Sequence, residues 1–210
     1  MPHDLAPLSV PREVIHKLEK YEALLLEWNE RINLVSASTL PQLWQRHFLD
    51  SAQLMNFIPP SVTSLADMGS GAGFPGLVLA ILGVPNVHLI ESIGKKASFL
   101  KEAVELLALP NVTVHQERVE KIRGLHVDIV TARAVKTLPE LLSMAKPLTH
   151  KDSVCLFLKG QNVAAELTEG AKYWTFDLEK TPSLSDPSGV VLHITNLKVA
   201  HHGRSFGRRK

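Results

Sequence analysis

The chain has 210 residues, 45 % hydrophobic and 21 % charged, which supports one sizeable core and excludes both two large domains and disorder over most of the length. No run of about eighteen apolar residues occurs, and Met1-Pro2-His3-Asp4 lacks the basic-then-apolar order of a signal peptide, so a soluble cytoplasmic protein with no membrane role is expected. One cysteine excludes an internal disulfide and a cysteine-rich zinc site, while the net charge of +2 hides an uneven split: residues 201–210 hold four cations and no acid, leaving 19 basic against 21 acidic groups elsewhere.

Val14, Ile15, Leu18, Tyr21, Leu25, Trp28 and Ile32 recur at three- and four-residue steps after Pro11, which predicts a first helix. Leu43, Trp44, Phe48, Leu49, Ala52 and Leu54 predict a second, stopped by Pro59-Pro60. Residues 1–60 are therefore expected to form a helical cap. From 61 to 200 short apolar runs alternate with helical patterns. Strands are predicted at Ser64–Ala66, Val87–Ile90, Val112–Val114, Val127–Val130 and Val154–Leu158, helices at 75–83, 94–108, 138–147 and 161–170, and a late, antiparallel strand at Val190–Ile194. This order predicts an α/β fold with a mostly parallel sheet. Residues 201–210 form a basic tail on the same single-domain unit.

The chemistry starts at Asp67-Met68-Gly69-Ser70-Gly71-Ala72-Gly73-Phe74-Pro75-Gly76, between the first strand and a helix. Glycines there permit positive φ and close approach of a ligand, and the helix start offers free N–H groups. Gly71-x-Gly73-x-x-Gly76 fits a dinucleotide fingerprint, with Glu91 twenty residues past Gly71 to hold a ribose. Asp67 argues for a different cofactor. A carboxylate beside a pyrophosphate repels it, whereas one near a cationic sulfonium amino acid attracts its ammonium group. Asp-x-Gly-x-Gly-x-Gly resembles the turn of Rossmann-like S-adenosylmethionine-dependent methyltransferases. Glu91 serves either reading, because both cofactors present a ribose diol.

Ligands of open parallel sheets lie at the carboxyl ends of the strands. Gln116-Glu117-Arg118-Val119-Glu120 follows the third strand and is suited to an adenine edge. Thr131-Ala132-Arg133-Ala134 follows the fourth and sets an arginine beside the expected methyl position. Lys159-Gly160-Gln161 follows the fifth. The fourth-strand loop lacks the Asn/Asp-Pro-Pro-aromatic sequence that goes with exocyclic amine methylation, and Cys155 lies within an apolar strand, unsuited to nucleophilic attack on a pyrimidine. No lysine-centred base for ribose 2′-O transfer stands out. Guanine N7 already carries a free lone pair, so alignment and desolvation suffice.

The ordered set Trp28-Asn29-x-x-Ile32-Asn33-Leu34, Arg46-His47-Phe48-Leu49-Asp50-Ser51, the 67–76 turn, Glu91-Ser92 with Lys95-Lys96 and Phe99-Leu100, Arg118-Val119-Glu120, Ala132-Arg133-Ala134 and Leu158-Lys159-Gly160 resembles the bacterial 16S rRNA guanine-N7 methyltransferases once called glucose-inhibited division protein B. The resemblance implies a Rossmann-like methyltransferase fold with an N-terminal helical extension, S-adenosylmethionine as cofactor, and 16S rRNA or the small ribosomal subunit as partner. It implies one methyl transfer to N7 of guanine 527 in the decoding region, by in-line displacement without a covalent intermediate. Cofactor contacts are expected from Asp67, Gly69, Ser70, Gly71, Gly73, Phe74, Glu91, Ser92, Val119, Glu120 and Arg133, the last also positioning the acceptor. RNA contacts are expected from Arg46, His47, Lys159, Arg204, Arg208, Arg209 and Lys210. On a regular helix Arg46 would pair Asp50, and His47 would neighbour Ser51. No metal site and no general base are assigned, and a monomer is expected. Another S-adenosylmethionine-dependent RNA or small-molecule methyltransferase stands as the first alternative, ahead of an NAD-binding oxidoreductase and a non-enzymatic RNA-binding protein.

Overall fold

The computed structural model describes residues 5, 10–133 and 136–200. The tail cations Arg204, Arg208, Arg209 and Lys210, and the Ala134-Val135 step after the fourth strand, lie outside the described residues. Helix α1 (Arg12–Asn29) starts directly after Pro11 and buries Leu18, Tyr21, Leu24 and Leu25. The Asn29 side chain then accepts the amides of Leu34 and Val35, at 2.9 and 3.0 Å, which turns the chain out of the helix.

The second predicted helix is an irregular run. A 3₁₀ segment (Ala37–Gln42) leads into a π-helical turn (Trp44–Leu49), a short α2 (Asp50–Ala52) and a further 3₁₀ segment (Gln53–Phe57). A π turn takes more than four residues, so positions four apart no longer stack. The expected Arg46–Asp50 pair is accordingly absent: Arg46 instead binds Asp186, 140 positions later. The Ser51 hydroxyl does meet its neighbour of the previous turn, donating to the His47 carbonyl at 2.7 Å.

Strands β1 (Leu65–Met68), β2 (Val87–Ile90), β3 (Val112–His115), β4 (Val127–Arg133), β5 (Thr149–Lys159), β6 (Trp174–Pro182) and β7 (Val190–Val199) form one sheet in the order β3-β2-β1-β4-β5-β7-β6. The first five are parallel, and β7 closes antiparallel on β5 as expected. Strand β6, paired to β7 at the edge, has no counterpart among the predicted strands. Helices α3 (Gly76–Ile81), α4 (Gly94–Leu106), α5 (Leu138–Ala145) and α6 (Val163–Gly170) cross between strands where helices are expected.

Alternate strand residues enter two cores, as the pleat requires. Leu65, Leu89, Ile129 and Leu156 pack with α1, α3, α4 and the irregular run. Ala66, Ile90, Val130 and Phe157 pack with α5 on the other face. The helical N-terminal part thus shares a core with one face of the sheet. The strand order reverses between β1 and β4, each leading away in opposite directions, and that switch point opens a crevice at the carboxyl ends of the strands.

Candidate active site

The 67–76 turn occupies that crevice. Gly69, Gly71 and Gly73 all have positive φ. Gly73 is the most constrained: a Cβ there would lie 2.6 Å from the Tyr21 hydroxyl and 2.9 Å from Leu77 Cβ, at φ +91°. The Tyr21 hydroxyl, buried on α1, donates to the carbonyl of Ala72. Its ring packs against Phe48, Phe74 and Phe99, so the N-terminal helix buttresses the turn from behind.

Two carboxylates flank the turn. Asp67 is fully buried; its Oδ1 accepts the Thr131 hydroxyl at 2.8 Å, from the residue in register with it on β4, and its Oδ2 has no hydrogen-bond partner. Burial pushes its pKa up to about 6, against the lowering effect of Thr131. The side chain lies buried beneath the turn and lines neither of the site's two clefts. Glu91, at the end of β2, accepts the amide of Gly71 at 2.9 Å and that of Ile93 at 2.7 Å.

A cleft of about 310 Å³ runs along this edge, lined by Gly69, Ser92, Glu117, Val119, Glu120 and Lys136 among others. Val119 is buried while Ser92 and Glu120 are exposed, giving the cleft an apolar floor with polar rims.

Strand β4 runs three residues past its expected end, so Thr131, Ala132 and Arg133 belong to the strand and not to the loop after it. Arg133 shares a face with Ile129 and Thr131 and points toward the helical cap. Its guanidinium lies 4.8 Å from the Phe74 ring centroid and donates to the Arg46 carbonyl at 3.2 Å. Burial lowers its pKa from the ordinary value, and Asp50, Tyr21 and Asp67 oppose that shift.

Arg133 lines a second cleft, also of about 310 Å³, with Arg46, His47, Asp50, Lys159 and the loop at Ser183, Ser185 and Asp186. That loop is strapped onto the irregular run: Arg46 to Asp186 at 2.6 Å, Ser185 to Asp50 at 2.5 Å, and the Leu184 amide to Gln53 at 2.8 Å. His47 donates to or accepts from Thr39 at 2.9 Å, and its Nδ1 is buried without a partner. Burial, reinforced by Arg133 and Arg46, brings its pKa down to about 3, so the imidazole is neutral at neutral pH. Lys159 is not the free cation expected at the mouth. Its ammonium is buried, 2.6 Å from Glu166 and donating to the Lys136 carbonyl at 2.8 Å. Cys155 is buried, and burial pushes its thiol up to about 12, which removes it as a nucleophile.

The structure brings the expected cofactor residues and Arg46, His47, Lys159 and Arg133 to one end of the sheet. The sequence reading missed Tyr21 and the Ser183–Asp186 strap.

A family model described as rRNA small subunit methyltransferase G matches residues 14–193. The chain belongs to the rRNA small subunit methyltransferase G family. It is 48 % identical over 202 residues to the ribosomal RNA small subunit methyltransferase G of Rhodospirillum centenum, covering 96 % of this chain and 92 % of the relative. Against the methyltransferase G of Paramagnetospirillum magneticum the identity is 47 % over 190 residues, covering 90 % and 92 %. Beyond methyltransferase G relatives, a SAM-dependent methyltransferase from Aquifex aeolicus superposes with a TM-score of 0.57 at 15 % identity, over 73 % of this chain and 92 % of that one. The likeness establishes the Rossmann-like methyltransferase fold.

Proposed function

We propose that this protein transfers a methyl group from S-adenosylmethionine to N7 of a guanine in 16S rRNA, at guanine 527 as the family resemblance implies. The observation that carries this reading is the pair of clefts joined by one side chain. Arg133 lines the second cleft while its guanidinium covers Phe74 of the glycine turn bordering the first.

The first cleft fits the cofactor. Gly69 and Gly71 leave the turn's backbone open to a ligand: a Cβ at Gly69 would meet nothing within 4 Å, and one at Gly71 only the Gly69 carbonyl at 3.7 Å. A buried carboxylate with an unpartnered oxygen lies beneath, favouring a cation over a pyrophosphate, which also weighs against an NAD-dependent oxidoreductase. Gly69, Ser70, Gly71, Gly73 and Phe74 would cradle the amino-acid end, Glu91 and Ser92 would meet the ribose, and Val119 with Glu120 would hold the adenine. When bound, S-adenosylmethionine supplies a methyl group on a positive sulfur, which an acceptor lone pair displaces in line.

The second cleft favours an acceptor that loses no proton. Its imidazole is held neutral with a pKa near 3, making it a poor base, and its lysine is engaged by Glu166. Guanine N7 needs neither group as a base. Alignment by Arg133 and exclusion of water then carry the rate. Arg46 at the rim, with the tail cations Arg204, Arg208, Arg209 and Lys210, would meet phosphates, and the enzyme would act in the cytoplasm as a monomer.

The test is to incubate the purified protein with labelled S-adenosylmethionine and small subunits lacking the modification. One labelled guanine is expected in 16S rRNA, at a site where borohydride reduction and aniline cleave the strand as they do at 7-methylguanosine. Label confined to small molecules, or at any other atom, overturns the proposal.

A further inference from the structure

Asp50 lines the second cleft in an unusual state of satisfaction. Its Oδ1 accepts three hydrogen bonds: from Gln53 Nε2 at 2.9 Å, Ser183 Oγ at 3.2 Å and Ser185 Oγ at 2.5 Å. Among the described residues Oδ2 receives none, and no cation lies within ion-pairing distance of the carboxylate. Arg46 is paired with Asp186, and Arg133, whose charge interacts with Asp50 from beyond ion-pairing distance, gives its contacts to Phe74 and the Arg46 carbonyl. Three donors converging on one oxygen fix the carboxylate's rotation, and the donors come from two segments 130 or more positions apart. A carboxylate held this firmly, with one acceptor oxygen unused at the wall of a cleft, is built to receive a donor from a ligand.

We infer that Asp50 reads the acceptor base, its Oδ2 accepting from the N1–H and 2-amino edge of the guanine whose N7 is methylated. This rests on the acceptor assigned above to the same cleft. Guanine presents that donor edge on the side of the ring opposite N7, so a base held there by Asp50 directs N7 away from the strap. Adenine places an acceptor at N1, which a carboxylate repels. Methylation adds positive charge to the ring and makes N1–H a stronger donor. An anionic acceptor at that edge therefore gains strength as the reaction proceeds, which accelerates transfer and does more than bind.

The test uses small subunits reconstituted with guanine, inosine or 7-deazaguanine at the target. Inosine lacks only the 2-amino group; 7-deazaguanine lacks only N7. The wild-type protein is expected to prefer guanine to inosine by about tenfold to a hundredfold in kcat/KM. In Asp50→Asn the amide oxygen keeps the three internal donors while an N–H replaces the free lone pair. This variant is expected to bind S-adenosylmethionine with unchanged affinity by calorimetry, to lose about a hundredfold in kcat/KM on guanine, and to show a guanine-to-inosine ratio near one. Equal use of guanine and inosine by the wild-type protein overturns the inference without any variant, and so does an Asn variant that keeps the wild-type ratio. Methylation of 7-deazaguanine at the guanine rate instead overturns the N7 assignment, so the two failures are distinct.

Discussion

Glu91 holds the amide of Gly71 at 2.9 Å, so the carboxylate that ends β2 also fixes the middle of the glycine turn. Its other oxygen takes the Ile93 amide, at the entrance to α4. The ribose reader expected at this position is thus already oriented by two backbone donors before any ligand arrives. Glu91→Gln keeps the shape but loses the charge and places an N–H against one of these amides. Cofactor affinity is expected to fall ten- to a hundredfold, about 1.5–3 kcal/mol, with a small loss of thermal stability. Calorimetric titration of S-adenosylmethionine against the Gln variant checks this, and an unchanged Kd refutes it.

The turn is also held from the far side. Gly73→Ala would drive a Cβ into the Tyr21 hydroxyl and Leu77 at a φ that disfavours side chains, and the expected cost is about 2–4 kcal/mol with loss of cofactor binding. Tyr21→Phe removes only the donation to the Ala72 carbonyl. It should cost about 1 kcal/mol in urea unfolding and weaken the cofactor less than Gly73→Ala does. Equal effects of the two variants would show that α1 is no brace for the turn.

His47 and Asp67 give the stability two pH dependences of opposite sign. The folded pKa of His47, about 3, lies below its ordinary 6.5, so the unfolded chain takes the proton first and stability is lost as pH falls below 6.5. The folded pKa of Asp67, about 6, lies above its ordinary 3.8, so the folded protein takes the proton first and stability is gained as pH falls from 6 toward 3.8. In the wild-type protein the two partly cancel. His47→Phe leaves the Asp67 contribution alone. The variant is expected to gain about 2–3 kcal/mol relative to wild type between pH 7.5 and 4.5, since each pKa unit is worth about 1.4 kcal/mol. Urea unfolding at both pH values measures the difference, and a pH-independent gap contradicts a buried neutral imidazole.

Arg133→Lys keeps a cation but removes the planar group that lies over Phe74 and reaches the Arg46 carbonyl. We expect kcat to fall about a hundredfold with a smaller change in cofactor Kd, because the lysine cannot span from the turn to the second cleft. Single-turnover methylation of small subunits separates the two quantities. A loss confined to cofactor affinity would move Arg133 from the acceptor to the cofactor.

The inner parallel strands were legible because they are short apolar runs covered on both faces, as at Val87–Ile90 and Val127–Val130; β3, at the sheet edge, is only half-buried. The same rule set the end of β4 too early: Thr131 and Arg133 are polar because they face the site, although their backbone still pairs with β5. Strand β6 escaped for the reverse reason. Trp174, Phe176 and Leu178 alternate with outward polar residues, the pattern of an edge strand with one wet face. Around Arg46 the apolar spacing signalled a helix but carried no sign of the π turn. The residues from Ser183 to Gly189 carried no reading, since no local pattern can show that Asp186 meets a side chain 140 positions earlier.

That distance sets an order of completion. The glycine turn, Glu91 and the Val119-Glu120 rim all belong to the first 120 residues, whereas the wall of the second cleft closes only when Ser183 through Asp186 reach Asp50 and Arg46. On the proposed assignment, a chain emerging from the ribosome carries most of the cofactor cleft before the acceptor cleft can close, and the last hairpin of the sheet completes the site.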